Sequence, residues 1–504
     1  MRRIAPLQAG VQRGHLDSPG EQGMRGLKNC VCRRATAAQD LTGRAGITRT
    51  ANKVEQPTKE FSATGDVIIH KLSSSRTGLR LASVDMRQDA GTCLIDQGKG
   101  EMAHRREPAM SRCIFSAAAS AVAVLTSAVA HAQSSSDGQS IFRFDTFGDE
   151  QLWTDTLRLQ EALKTVSPRT ALSVGLKVDS DALPQKLIDD IKAGRVNLDD
   201  PAVTIQLLKR NAVIGVITDN AVKSVGITCA LCHTQVDNSV APGIGRRLDG
   251  WPNRTLDVGK IIALSPALTD AQKAPFLTWG PGFFDPRFQY FNGTIIVSQN
   301  NNPTLPVVIA PAFGLLGVNF ETYTGDGPIS YWNNYVGVTQ MGGHGSFSDA
   351  RIGISVTQTP DQVTPKLPAL LQYQLSLQTP PPPDGSFNKG AAKRGEDVFN
   401  GPGRCATCHI PPLFTDVNNN KNNPNLPLLH SPGEVGQEAV YASRSATKIG
   451  YRTTPLRALW QHPPYFHDGS APDLLAVVNH YNSVLMLGLT DRQKADLVEY
   501  LKTL

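Results

Sequence analysis

Two five-residue motifs constrain this chain more than any other feature of its sequence. They read Cys229-Ala-Leu-Cys232-His233 and Cys405-Ala-Thr-Cys408-His409. Two thiols spaced in this way can add to the vinyl groups of one haem, and the adjacent histidine can then bind the iron as its proximal ligand. The sequence therefore predicts two covalently bound c-type haems, each attached to the two cysteines of one motif, with His233 and His409 as iron ligands.

Residues 110–132 are typical of a secretory signal peptide. The segment has a short basic start, Met110-Ser-Arg112, then 17 uncharged residues rich in Ala and Val (114–130), and it ends in Ala-His-Ala132. Its apolar core is shorter than the roughly 20 residues that span a bilayer. We therefore expect an exported protein, periplasmic or secreted, with no stable insertion in a membrane.

Residues 1–109 precede this signal, and we expect them to be a non-native or disordered extension because an export signal acts at the N-terminus. They show neither helical nor strand periodicity. Residues 1–132 hold 19 of the 50 Lys and Arg and 11 of the 44 Asp and Glu, which leaves a net charge of −2 on residues 133–504. Charge therefore gives no support for binding to nucleic acid.

The four motif cysteines are the only cysteines after residue 132, so no disulfide framework is expected. A zinc site made from the two Cys-x-x-Cys pairs is the alternative use of these thiols. Such a site needs no histidine directly after either pair, and the export signal independently places the chain where c-type haem is attached. We therefore favour haem.

The pattern predicts a mainly α-helical protein of two cytochrome c-like haem domains with long loops. Residues 133–378 are assigned to the N-terminal haem domain and residues 387–504 to the C-terminal cytochrome c domain. Between them, residues 379–386 include four consecutive prolines. Such a run forms a stiff, extended linker, so we place the domain boundary there.

Capping signals predict where several helices begin. Asp200 can cap a helix that has Pro201 in its first turn. A second helix is expected from about Lys389 to Phe399. Thr490 and Gln493 stand in capping-box register at the start of a last helix.

Three phrases in the C-terminal region carry a family resemblance. They are Gly390 to His409, Arg452-Thr-Thr-Pro455-Leu-Arg457, and Pro464-Tyr-Phe-His467-Asp-Gly469 followed by Val477-Val-Asn-His480-Tyr481. Together with the upstream motif they resemble the bacterial di-haem cytochrome c peroxidase superfamily, which includes the MauG-type enzymes. The resemblance is strong over residues 390–504 and thin over 133–389. It implies that Gly395 and Phe399 pack against Leu497, Tyr500 and Leu501.

The resemblance also implies ligands for the C-terminal haem. In that family a Met or a Tyr on the helix after the Phe-His-Asp-Gly phrase binds the iron as its sixth ligand. Tyr481 stands at the matching position, and His480 and Met486 are neighbouring alternatives. The resemblance gives His467 a supporting role beside the haem.

For the N-terminal haem, Ala310-Pro311 and Tyr331-Trp332-Asn333 resemble the phrases that flank an inter-haem tryptophan. By this match Trp332 lies between the haems and helps to carry electrons, and a plain buried aromatic residue is the alternative. Ile309 occupies the position where a calcium-binding asparagine would stand, so a calcium site is doubtful.

No histidine occurs between His233 and His344, so the distal histidine of the resting peroxidase is missing. We expect this haem to be five-coordinate or to bind Met341 or His344. Cleavage of peroxide also needs a group that moves a proton. Glu321 and His344 are the candidates, and an ordinary surface side chain is the alternative for each.

These features predict an oxidoreductase that takes electrons at the C-terminal haem and reduces peroxide at the N-terminal one. The donor would be a small redox protein or another electron donor. A di-haem oxygenase acting with dioxygen, which resembles rubber-cleaving enzymes, is favoured by the missing distal histidine. An electron carrier without chemistry of its own is the third possibility, and six-coordinate, inert irons would favour it.

The signal segment gives a direct prediction. When expressed from Met102 or Met110, the protein should be exported and should begin at Gln133 after cleavage. N-terminal sequencing of the exported protein checks this, and a mature terminus upstream of residue 100 contradicts it.

Overall fold

The structure, a computed structural model, describes residues 137–291, 293–297 and 304–504. The predicted signal peptide and the extension before it lie outside these residues. The described part is mostly helical, with small sheets. Its α-helices are 137–144, Leu159–Leu163, Pro168–Ser173, Gln185–Lys192, Pro201–Leu208, Ala230–His233, Val258–Ala263, Asp270–Lys273, Ile329–Tyr335, Leu367–Ser376, Lys389–Asn400, Pro432–Val435, Ala439–Ser443, Leu474–Val484 and Asp491–Leu501.

The strands are two or three residues long, and they form two-stranded sheets that connect neighbouring loops. The parallel pair is Val178–Asp179 with Ile244–Gly245. The antiparallel pairs are Val216–Thr218 with Val225–Ile227, Thr234–Val236 with Arg247–Asp249, Phe283–Phe284 with Val307–Val308, Gln289–Phe291 with Thr294–Ile296, and Phe347–Asp349 with Ile354–Val356. Strands this short carry no readable alternation, so the sequence did not indicate them.

The predicted helix starts are confirmed. The Asp200 side chain accepts a hydrogen bond from the backbone of Ala202, and Pro201 is the first residue of its helix. Thr490 and Gln493 form a reciprocal capping box before Asp491–Leu501. These local interactions satisfy backbone donors that the first turn leaves free.

Separate apolar clusters surround the two motifs. Cys232 packs against a cluster that includes Trp153, Leu208 and Phe276. Cys229 packs against a second cluster, built around Phe142, Phe147 and Tyr335. Cys405 packs against a third, which contains Phe399, Leu474, Leu497 and Leu501. The two motifs therefore belong to different parts of the hydrophobic core.

The helix Lys389–Asn400 crosses the helix Asp491–Leu501 at Gly395, as the resemblance implied. A Cβ atom on Gly395 would lie 2.0 Å from the carbonyl oxygen of Asp496. The Phe399 and Tyr500 rings meet edge to face with centroids 5.2 Å apart. Only glycine permits so close an approach of two backbones.

Polar contacts join the chain before the proline-rich segment to the chain after it. Residues 379–386 contain neither helix nor strand. Arg444 pairs with the buried carboxylate of Asp285 at 2.7 Å. The backbone amide of Val308 donates to the carbonyl of His467 at 2.9 Å. The described residues accordingly belong to one compact unit.

In the described ranges, no helix is both long enough and apolar enough to cross a membrane.

The helix crossing gives a stability prediction. Gly395→Ala forces a methyl group against the Asp496 carbonyl, and overpacking of this kind costs about 1–3 kcal/mol of unfolding free energy. Gly390→Ala on the same helix is the control, because its Cβ would meet nothing closer than 3.5 Å. Denaturant unfolding of both variants measures the difference, and equal stabilities contradict the crossing.

Candidate haem sites

The first motif occupies one short turn between two strands. The strand Val225–Ile227 leads into Cys229, and the helix Ala230–His233 follows directly. The backbone amide of His233 donates to the carbonyl of Cys229 at 3.2 Å. This turn brings Cys229, Cys232 and His233 together, and all three side chains are half-buried.

The His233 ring is oriented by a hydrogen bond from outside the motif. Its Nδ1 lies 3.0 Å from the carbonyl oxygen of Ala310. Burial lowers the pKa of His233 to about 4, so the ring is neutral. A neutral imidazole that donates from Nδ1 presents the lone pair of Nε2, which is the form that binds a metal.

The second motif has the same arrangement on a different backbone. Cys405–Thr407 forms a 3₁₀ turn, and the amide of His409 donates to the carbonyl of Cys405 at 2.9 Å. Nδ1 of His409 lies 3.0 Å from the carbonyl oxygen of Phe414. Burial lowers the pKa of His409 as well. Nδ1 therefore faces a backbone carbonyl in both motifs, and Nε2 is the nitrogen that could bind iron.

The four motif cysteines form no disulfide in the described part of the chain. Three of them pack against separate clusters, Cys232 against the first, Cys229 against the second and Cys405 against the third. Burial raises the pKa of Cys229 and Cys232 to about 12 and that of Cys405 to about 11. These thiols are therefore protonated near neutral pH, and paired cysteines beside an oriented histidine fit a covalently attached haem.

Comparison with known proteins bears on this assignment. No protein-family model matches the chain. It is 30% identical over 125 residues to the methylamine utilization protein MauG of Methylorubrum extorquens, a match that covers 22% of this chain and 34% of that protein. It is 28% identical over 152 residues to a cytochrome-c peroxidase of Denitromonas iodatirespirans, covering 24% and 41%. Part of the chain is thus homologous to the di-haem cytochrome c peroxidase and MauG superfamily.

A third relative is the hydrazine synthase subunit gamma of Kuenenia stuttgartiensis, 31% identical over 173 residues, with 28% of this chain and 49% of that protein covered. The chain therefore spans less than half the length of each of these relatives. A hydrazine synthase structure from the same organism overlaps 44% of this chain and 85% of its own, at 22% identity and a TM-score of 0.26. A MauG-like protein associated with microbial copper homeostasis overlaps 29% and 54%, at 20% identity and a TM-score of 0.21. Scores this low identify no shared fold, so the assignment to the superfamily depends on sequence.

Among the ligand candidates for the C-terminal haem, Tyr481 faces the second motif. Burial raises the pKa of Tyr481 to about 12, and the neighbouring Cys408 and Cys405 act in the same direction. His480 instead places Nε2 2.9 Å from the carbonyl oxygen of Val435. Met486 is 88% exposed. Tyr481 is half-buried and lies close enough to the attachment cysteines to interact with them electrostatically, so it is the best placed of the three superfamily-based candidates.

Glu321 and Trp332 lie together, beside Arg452, which the sequence analysis named only as part of a family phrase and not as a site residue. The Trp332 indole donates to the backbone carbonyl of Glu321 at 3.1 Å. The Glu321 carboxylate pairs with Arg452 at 2.9 Å, and both side chains are buried. Burial raises the pKa of Glu321, while Arg452 opposes that shift. Its second carboxylate oxygen has no hydrogen-bond partner among the described residues.

Met341 belongs to the apolar cluster against which Trp332 packs, whereas the backbone hydrogen bonds of His344 go to other residues. The backbone of His344 bonds to Phe147 and Gln362, and its side chain is half-buried. Met341 is buried, and its carbonyl accepts a hydrogen bond from the Trp153 indole at 2.8 Å. Met341 belongs to the cluster against which Cys229 also packs. Met341 thus lies in the neighbourhood of the first motif.

A polar cluster beside the second motif was missed at the sequence level. Ligand atoms of Cys408, Asp416 and His430 lie within 4.8 Å of one another. Hydrogen bonds to Asp416 first, then to Cys408 and Glu434, raise the pKa of His430 to about 11. Long loops separate these residues, so no spacing rule could join them. Attachment of haem would turn the Cys408 sulfur into a thioether, and the remaining Asp416–His430 contact is then an ion pair.

His467 also has an environment that the sequence did not indicate. The rings of Tyr323, Tyr441 and Tyr451 surround it, with centroids 5.1, 4.3 and 4.9 Å from its own. Its Nε2 is buried without a hydrogen-bond partner in the described ranges. His467 therefore packs chiefly as a neutral aromatic ring, since burial lowers its pKa to about 4.

The Arg452 pair gives a pH-dependent prediction. Arg452→Met leaves the Glu321 carboxylate buried without its cation, which costs about 3–5 kcal/mol of unfolding free energy near neutral pH. The pKa of Glu321 in the folded protein then rises further above its unfolded value. A carboxyl group shifted in this direction destabilises the fold at high pH and does so less as the pH falls.

The Arg452→Met substitution should therefore lower the free energy of unfolding more near pH 8 than near pH 5. Arg169→Met is the control, because Arg169 and Asp199 form an exposed pair. A loss that is the same at both pH values would contradict the buried-pair argument.

Proposed function

We propose that this chain is an exported di-haem c-type cytochrome that takes electrons at a C-terminal haem and reduces peroxide at an N-terminal one. One observation carries the proposal: in both motifs a cysteine pair shares a turn with a neutral histidine whose Nδ1 faces a backbone carbonyl. Homology to MauG and to a cytochrome-c peroxidase supports it.

The two haem sites would differ in whether the iron keeps an open coordination position. A haem bound at each motif supplies an iron that carries one electron at a time and, where a coordination position is open, binds a small oxidant. At the C-terminal site His409 and Tyr481 are the residues that would bind the iron, and a haem with both positions filled would suit electron transfer. At the N-terminal site His233 would bind the iron, and Met341 is the neighbouring buried candidate.

Contacts between side chains support a route between the two sites. Trp332 packs against the cluster that holds Cys229, and its indole donates to Glu321. Glu321 pairs with Arg452, which belongs to the C-terminal region. Trp332 is therefore our candidate for passing electrons between the two haem regions.

Glu321 is the better placed of the two acid/base candidates. Reduction of one peroxide to two waters consumes two electrons and two protons, so a group must deliver protons in a dry site. Burial raises the pKa of Glu321 towards the range in which a carboxyl group can give and take a proton. His344 has no side-chain contact with this pair in the described part and stays the alternative.

A second function has a specific observation in its favour. No histidine lies between His233 and His344, so the peroxidase's usual distal histidine is absent from the sequence. An oxygenase that binds dioxygen at the N-terminal haem would not need it. An electron carrier without its own chemistry would instead have two six-coordinate irons that do not bind small ligands.

Haem content tests the assignment first. The pyridine haemochrome of the exported protein should report two c-type haems per chain. Cys→Ser changes at Cys229 with Cys232, or at Cys405 with Cys408, should each remove one. Stoichiometric zinc in place of haem would reverse the proposal.

Ligand binding then separates the three functions. The peroxidase expectation is one high-spin haem that binds carbon monoxide when reduced, together with turnover of peroxide by an external electron donor. Turnover of dioxygen but not of peroxide favours the oxygenase, and inert irons favour the carrier.

A matched pair of variants tests Tyr481. Tyr481→Phe should change the spectrum of the C-terminal haem alone and raise its reduction potential, because a phenolate ligand stabilises ferric iron. Tyr500→Phe is the control, since Tyr500 packs on Phe399 in the same domain. An unchanged spectrum in the Tyr481→Phe protein rules the ligand out.

A further inference from the structure

Arg254 is a half-buried cation whose guanidinium has unmet hydrogen-bond donors. Its guanidinium Nε and Nη1 atoms are shielded from solvent and have no hydrogen-bond partner in the described part of the chain. Among those residues no carboxylate lies within ion-pair distance of it. Burial lowers the pKa of Arg254 to about 10, which still leaves it charged at neutral pH. A buried charge with unmet donors is costly, and its usual explanation is a ligand that satisfies them.

Arg254 lies where the first motif meets the C-terminal region. The residue before it, Asn253, donates its backbone amide to the carbonyl of Cys232 at 2.8 Å. Across from it, Tyr465 and His462 are close enough to interact electrostatically with the Arg254 charge. The guanidinium therefore lies between the first motif and the segment that contains His462 and Tyr465.

His462 adds a second unsatisfied polar atom at this place. The side chain is 91% buried. Its Nε2 lies 3.1 Å from the carbonyl oxygen of Arg457, whereas Nδ1 has no partner among the described residues. Burial, and then the charge of Arg254, lower the pKa of His462 to about 4. His462 is therefore neutral. Arg254 contributes one positive charge at this place, which a single anionic group would neutralise.

Neighbouring residues hold the two segments in place. The Trp251 and Trp460 rings meet edge to face with centroids 5.6 Å apart. The Tyr465 hydroxyl donates to the carbonyl of Leu459 at 2.5 Å. This packing holds the Arg254 side chain against the opposite segment, so its free donors belong to an ordered site and not to a mobile surface arginine.

We propose that Arg254 binds a carboxylate and that this carboxylate is a propionate of one of the two haems. The guanidinium is a permanent cation with donors that no described residue satisfies, and a carboxylate is an anion that such donors bind strongly. Each haem carries two propionates, and the site adjoins the first motif on one side and residues of the C-terminal region on the other. Arg254 would then fix the position of one propionate. The proposal rests on the di-haem function.

Reduction potentials provide a test that does not depend on turnover. A positive charge beside a haem disfavours the ferric form, which carries one more positive charge than the ferrous form. In Arg254→Gln the reduction potential of one haem should therefore fall. The expected fall is at least about 59 mV, which corresponds to a tenfold change in the one-electron equilibrium between ferrous and ferric haem. Arg246→Gln is the control, because Arg246 is an exposed arginine of the same region.

A vibrational readout covers the case in which Arg254→Gln folds poorly. Arg254→Lys keeps the charge and loses the paired donors. Its potentials should stay near those of the natural protein, while the haem-propionate bending band in resonance Raman spectra should shift. Unchanged bands and unchanged potentials in folded variants overturn the proposal.

A free small anion is the other source of a carboxylate. Sodium acetate, titrated into the ferric protein at constant ionic strength, should produce no saturable spectral change if a propionate already fills the site. A saturable change that Arg254→Gln abolishes would overturn the propionate assignment in favour of a free anion. Loss of the proposed function itself looks different, because the natural protein would then contain fewer than two haems.

Discussion

The hydrogen bond from each motif histidine to a backbone carbonyl is the constraint on which the candidate sites depend. His409 bonds to Phe414, only five residues further along, so its orientation is set locally. His233 bonds to Ala310, 77 residues away, and that loop is held by the amide of Ala312 on the carbonyl of Gly250. The first site therefore needs the tertiary fold around it to be complete, whereas the second is largely determined by its own turn.

Local chemistry explains what the sequence could predict. The motifs, the cap at Asp200 and the capping box at Thr490 are short-range patterns, and the structure has each of them. The contacts of Glu321 with Arg452 and of Arg254 with His462 join residues more than a hundred positions apart, and no periodicity signals such pairs. The paired strands could not be predicted for a different reason. Two or three residues are too few to show an alternation of apolar and polar side chains.

Buried charges fix how the chain on one side of the proline-rich segment meets the chain on the other. Asp285 with Arg444 and Glu321 with Arg452 are ion pairs with little solvent around them. Such pairs add little net stability compared with apolar packing, but a shifted arrangement would leave a charge unpaired at high cost. This favours one relative placement of the two halves, which the proposed electron transfer between them would require.

The glycine crossing of the two C-terminal helices has a consequence for biosynthesis. Cys405 packs into a core to which the helix Asp491–Leu501 contributes, with Gly395 against the Asp496 backbone. That helix follows the motif in the chain, so it would reach the outside later when export begins at an N-terminal signal. Until it arrives, the core around the second cysteine pair cannot close. The order of export would thus leave an interval in which a bulky group could be attached to the thiols before folding buries them.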